Sequence, residues 1–154
     1  MQKEFDLINK ILGTIRPFKA VEVYPKLYQG SMIFTKEDIK EVNDLKIKTV
    51  IDLEGGFDPD MNFLESYLYW PIRDVPWLPD KESLFTIGVY GASVVSSKRR
   101  LLVHCRQGLN RSGLVCGQIM SILGMKGTDI VKEITSKVKF GLWNPVFREY
   151  IKEL

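Results

Sequence analysis

Leu101-Leu102-Val103-His104-Cys105-Arg106-Gln107-Gly108-Leu109-Asn110-Arg111-Ser112-Gly113 is the stretch whose reading decides the fold. The short apolar run at 101–103 suits a buried central strand. Beyond Ser112, the residues Leu114, Val115, Ile119, Met120, Ile122 and Leu123 are apolar nearly all round. That pattern predicts a buried helix, closed by Gly124. A strand that turns directly into a helix puts the turn at the carboxyl end of a sheet, where ligands of open α/β sheets sit.

Outward from this unit, strands and helices alternate. Lys48–Leu53 (KTVIDL) is a β-branched run that ends at Glu54-Gly55-Gly56, a strand followed by a loop. Tyr67 to Trp70 predicts another short strand. VEVYPKLYQG, starting at Val21, reads as short strands broken by Pro25 and Gly30. Thr35 with Asp38 forms a capping box before a helix marked by Ile39 and Val42. Asp80 is an N-cap for a helix running to about Ser96. Two further helices are predicted at about 128–138 and 144–153, the last with Asn144 as N-cap and Pro145 at its first position. Near the start, Phe5, Leu7, Ile8, Ile11, Leu12 and Ile15 have helical spacing that stops before Pro17. The expected fold is α/β, one domain over 1–154, with a central, mostly parallel sheet flanked by helices on both faces. Within it, 1–20 is a helix and lead-in, and 21–154 is the core.

Composition narrows the class. The 154 residues suit one domain, and 45% hydrophobic with 27% charged residues is the balance of a folded globular chain. No apolar run approaches the roughly 18 residues that cross a membrane. The opening MQKEFDLINK lacks the pattern of a secretory signal. Two cysteines, Cys105 and Cys116, cannot build a disulfide framework, and one histidine with two cysteines does not make a structural zinc site. A reducing cytoplasm is the expected compartment. The net charge of +3 suits an anionic ligand but is not a nucleic-acid-binding composition.

The turn after the strand carries the chemistry. A loop entering a helix N-terminus can aim successive backbone N–H groups at an anion. The first-turn N–H groups have no helical partners. Gly108 permits a backbone angle that side chains would obstruct. Arg111 supplies a planar clamp for two phosphate oxygens. The same donors stabilise a thiolate at Cys105, making it a nucleophile aimed at phosphorus. Ser112 can donate its hydroxyl to the sulfur when that sulfur leaves. Cys116, five residues into an apolar helix, reads as packing.

HCRQGLNRSG resembles the H-C-x5-R-[ST] signature of the cysteine-dependent protein tyrosine phosphatases. LYQGS at 27–31, KTVIDL at 48–53 and WPIRD at 70–74 resemble segments of the compact dual-specificity branch, and the likeness spans about 21–150. The resemblance implies a phosphomonoester hydrolase acting on phosphotyrosine, and on phosphoserine or phosphothreonine through a shallow pocket. It implies a phosphocysteine intermediate and no cofactor or metal. Residues 106–110, namely Arg106, Gln107, Gly108, Leu109 and Asn110, would form the phosphate-binding loop with Cys105 and Arg111. His104 would order that loop by hydrogen bonds.

The resemblance also requires a general acid. Asp74 precedes Cys105 by 31 residues and lies in the W-P-x-x-D context; Asp80 precedes it by 25 and already has work as an N-cap. Asp74 is therefore the expected acid and Asp80 the alternative. Asp52 falls in a strand, and Asp58 and Asp60 in a polar loop as solvated groups. Arg73 either turns away from Asp74 or helps hold phosphate. Asn110-Arg111 also occurs in the RNA 5′-triphosphatase branch, so an RNA 5′ end stays open as a substrate, as does a phosphoinositide. A non-catalytic phosphate-binding module is the reading from outside enzymes. The partner expected on all these readings is a phosphorylated molecule; the oligomeric state is not readable.

Overall fold

A computed structural model of the chain describes residues 3, 4, 7 and 18–154. The helix expected over 5–15 lies outside the described residues except at Leu7. Five strands are β1 (Ala20–Tyr24), β2 (Leu27–Gly30), β3 (Thr49–Asp52), β4 (Ser66–Tyr69) and β5 (Leu101–His104). Five helices described in full are α1 (Lys36–Asp44), α2 (Lys81–Ser96), α3 (Arg111–Ile122), α4 (Gly127–Lys137) and α5 (Pro145–Lys152).

The strand order is β1-β2-β5-β3-β4. β1 and β2 pair antiparallel; β2 with β5, β5 with β3, and β3 with β4 are parallel. The expected α/β class with a mostly parallel sheet is what the chain adopts. Antiparallel β1 follows from the two-residue Pro25-Lys26 connection, too short for a parallel crossover.

β5 is central, and all four of its residues are buried. Successive strand residues face opposite sides. Leu101 and Val103 pack with Ile51, Leu27 and the apolar faces of α2, α3, α4 and α5. Leu102 and Val50 pack on the other side with Tyr28, Val42 and Ile47, the layer that α1 covers. Fully burying each such side chain stabilises the fold by about 1.5–3 kcal/mol. α3 is buried from Arg111 to Met120, as expected for a helix apolar all round.

The helix starts obey local rules. Thr35 Oγ1 accepts from Asp38 N–H, and Asp38 returns the bond to Thr35 N–H. Asp80 accepts from Ser83 N–H at 2.8 Å. Asn144 Oδ1 accepts from Val146 N–H at 3.0 Å, and Pro145 stands at the first turn. Asn110, at the start of α3, makes no side-chain cap bond. The donors of that helix end are left to whatever lies in front of it.

Candidate active site

β5 ends at His104, and the chain turns through 105–110 into α3. The strand alternation sends the next two side chains apart. His104 falls on the α1 side, where Nε2 meets Asp58 Oδ2 at 2.7 Å and lies 3.6 Å from Asp52 Oδ1. Cys105 falls on the α3 side, with Sγ 3.4 Å from the Ser112 hydroxyl. A direct Cys105–His104 pair is thereby absent, and Ser112 is the neighbour of the sulfur.

The loop is stapled from outside. Arg106 C=O accepts from Met32 N–H at 3.0 Å, and Leu109 C=O accepts from Leu142 N–H at 3.0 Å. Gln29 Nε2 donates to Gly108 C=O at 2.9 Å. In a trans peptide the N–H points opposite the carbonyl. The amides of Gln107, Leu109 and Asn110 therefore point away from these staples, an arrangement that can bind an anion. Gly108 makes this turn at φ +72°, and a Cβ there would stand 2.7 Å from Gly30 C and 2.8 Å from Ser31 N. Both the angle and the space demand glycine.

Arg111 is 9% exposed. Nη1 donates to Ile72 C=O at 3.1 Å and Leu53 C=O at 3.4 Å, and Nη2 lies 3.3 Å from Glu54 Oε2. Nε is buried and makes no hydrogen bond, an orphan donor on a fixed guanidinium. Burial works against its charge, but Cys105, Glu54 and Asp74 together hold it above its ordinary value. Those three groups thus lie within electrostatic reach of one cation. Asp74 is half-buried and within electrostatic reach of Arg111, while Asp80 is exposed and occupied at the start of α2. Arg73 is exposed.

The sequence left Glu54 as the edge of a loop. It is instead the bridge between two arginines: Oε1 meets Arg106 Nη2 at 3.1 Å and Oε2 meets Arg111. Burial raises its carboxyl, yet Arg111, the Gly55 N–H and Arg106 hold it below the usual range. The signal was present, since Glu54 lies just past the end of β3, the parallel neighbour of β5.

Asp58 is a correction. It is not a solvated loop residue; its side chain is 3% exposed and holds His104. Asp52 accepts from Tyr67 OH and from Glu54 N–H at 2.8 Å. Burial raises the Asp52 carboxyl despite these partners. Burial depresses His104, but the Asp58 bond and the charges of Asp58 and Asp52 outweigh it and leave the imidazole raised. Ligand atoms of Asp52, Asp58 and His104 lie within 4.8 Å of one another. Proton-bearing bonds already occupy them, so the cluster reads as a support for the loop rather than a cation site.

Asn110 turns outward. Its Oδ1 accepts from Asn144 N–H at 2.9 Å. Asn144, fully buried, donates Nδ2 to Val75 C=O at 3.0 Å. One asparagine thus ties the Cys105 loop, the Asp74 segment and the start of α5 together.

No family model matches the chain, and neither does any curated sequence. Solved structures do. DUSP15 superposes with a TM-score of 0.74 at 25% identity, covering 87% of this chain and 85% of that one. The active form of Tk-PTP gives 0.73 at 23% identity, with 88% and 95% covered. Human DUSP28 gives 0.69 at 18% identity, with 86% and 95% covered. The chain thus shares the single-domain fold of these compact phosphatase structures, with the strand–loop–helix unit around Cys105 at its centre.

Proposed function

We propose that the chain hydrolyses phosphomonoesters through a phosphocysteine. The observation that carries this reading is Arg111: a guanidinium fixed by Glu54, Leu53 and Ile72, with a buried donor unused, beside a cysteine at the floor of an amide-lined loop. Three equatorial phosphoryl oxygens fit such donors, and the arrangement favours the transferring group most when its charge spreads.

In the first step Cys105 Sγ bonds to phosphorus as the ester P–O bond breaks. Asp74 delivers a proton to the departing oxygen. In the second step Asp74 takes a proton from water, and the water oxygen attacks phosphorus. The P–S bond breaks, and the Ser112 hydroxyl donates a hydrogen bond to the departing thiolate. The loop amides and Arg111 hold the phosphoryl oxygens throughout. His104, Gln29 and Asn110 act as positioning residues. The nucleophile is the thiolate, so no metal-bound water is needed.

The test is hydrolysis of p-nitrophenyl phosphate in EDTA by wild type and Cys105→Ser. Turnover by the wild type alone supports the mechanism. Equal activity of the two, or none in the wild type, overturns it and leaves a phosphate-binding module as the reading. The likeness in fold to phosphatase structures supports phosphatase chemistry, and the resemblance in sequence makes phosphotyrosine, with phosphoserine or phosphothreonine, the substrates we propose.

A further inference from the structure

A cavity of about 620 Å³ opens beside the Cys105 loop and shares Arg106 and Glu54 with it. Its apolar lining includes Phe34, from the β2–α1 connection, and Phe57, from the loop after β3. Both rings are largely in solvent, 74% and 76% exposed. Phe57 is nonetheless held, its ring centroid 4.4 Å from that of Tyr69. Two large aromatics kept outside the core around one cavity mark a surface built for a ligand.

The floor repeats the message. Gly55 and Gly56 line the same cavity, and a Cβ on either would meet nothing within 4 Å. Neither has a positive φ. The fold does not require glycine at either place, and the bare backbone there leaves room for a ligand to approach closely.

Charge selects among ligands. The cavity holds two carboxylates, Glu54 and Asp58, against the single guanidinium of Arg106. Glu54 is already engaged by Arg106 and Arg111, and Asp58 by His104. A second phosphate group, from a 5′-triphosphate or a polyphosphorylated inositol, would meet these carboxylates with no cation to spare. An uncharged apolar side chain meets two phenyl rings.

We infer that this cavity is a subsite for a large apolar side chain next to the phosphorylated residue of a polypeptide substrate. The inference rests on the phosphatase reading above and narrows its substrate class to phosphopeptides bearing such a neighbour.

The experiment measures kcat/KM on short phosphotyrosine peptides flanked by glycine, with one leucine or phenylalanine placed in turn at positions −2, −1, +1 and +2. At one position or more, the wild type should favour the apolar peptide over the all-glycine peptide about tenfold. That ratio should fall towards one in Phe34→Ala/Phe57→Ala and in Gly56→Leu, which fills the floor. Both variants alter solvent-facing positions, so folding is retained, and the ratio is internal to each protein. A flat peptide series in wild type, or an unchanged ratio in both variants, overturns the inference. So does faster turnover of triphosphorylated RNA or a short-chain phosphoinositide than of the best peptide. If wild type fails on p-nitrophenyl phosphate, the phosphatase reading falls and takes this inference with it; activity there with a flat series sinks the inference alone.

Discussion

Glu54 Oε2 and Arg111 Nη2 lie 3.3 Å apart, each side chain about one-tenth exposed, joining the end of β3 to the first residue of α3. With the Ile72 and Leu53 carbonyls, the pair fixes the guanidinium of Arg111. Removing the carboxylate leaves a buried cation short of a partner. Glu54→Gln should cost about 2 kcal/mol and lower kcat/KM for p-nitrophenyl phosphate by at least tenfold. Because the Glu54 carboxyl is held below its ordinary range, its contribution is complete above that range and is lost as pH falls through the lower folded value. The melting-temperature gap between wild type and variant should therefore narrow as pH falls below the ordinary carboxyl value of 4.5. A gap that does not narrow at all on acidification would argue against the ion pair.

His104 gives the opposite slope. Its imidazole is raised above 6.5, with burial opposing and Asp58 and Asp52 prevailing. Stability from this charge is complete below 6.5 and lost as pH rises through the folded value. Asp58→Asn should be less stable than wild type by about 2 kcal/mol near pH 6, with the difference shrinking towards pH 9. Thermal melts across that range check it; a difference flat with pH rules the charge out.

Asn144 divides its work between two atoms. Oδ1 caps α5, and Nδ2 holds Val75 C=O beside Asp74. Asn144→Asp keeps an acceptor for the cap and removes the donor. It should lower the melting temperature, because a buried carboxylate oxygen then faces the Val75 carbonyl, and slow turnover several-fold on phenyl phosphate, a poor leaving group. Asn144→Ala should lose about 1 kcal/mol as well. Equal kinetics in wild type and Asn144→Asp would show that the tether to Val75 does not position the acid.

Gly108→Ala forces a Cβ to 2.7 Å from backbone that cannot yield. The φ of +72° adds strain of about 1–2 kcal/mol. The variant should fold with the loop displaced, losing vanadate binding and activity together. Calorimetry with vanadate reads this directly, and unchanged affinity would mean that the loop is not the anion site.

Asp74 and Asp80 separate by leaving group. Asp74→Asn should lower kcat on phenyl phosphate by roughly 100-fold and affect p-nitrophenyl phosphate far less. Asp80→Ala should leave both rates alone and cost about 1 kcal/mol of stability through the lost α2 cap. The reverse pattern would move the acid to Asp80.

Local chemistry carried much of the fold into the sequence. The Thr35–Asp38 box, the Asp80 cap and the Asn144-Pro145 start are contacts over two to four residues, and the chain order alone displays them. The apolar runs at 101–103 and 114–123 announced β5 and α3, and with them the loop between. Asp58 was misread because its partner His104 is 46 residues away, and a polar loop looks solvated until a buried imidazole sits beneath it.

What the sequence determined by itself, then, is the strand–loop–helix unit with Cys105, Arg111 and Ser112 on one short arc, since five to seven residues fix their spacing and the glycine fixes the turn. Only the tertiary structure decided which groups hold that arc in shape: Gln29 from β2, Glu54 from the loop after β3, Asn144 from the start of α5 and Met32 from the β2–α1 connection. Each reaches the loop because neighbouring parallel strands end at the same edge of the sheet. That register is set by the packing of two apolar layers, and by nothing a local stretch of residues displays.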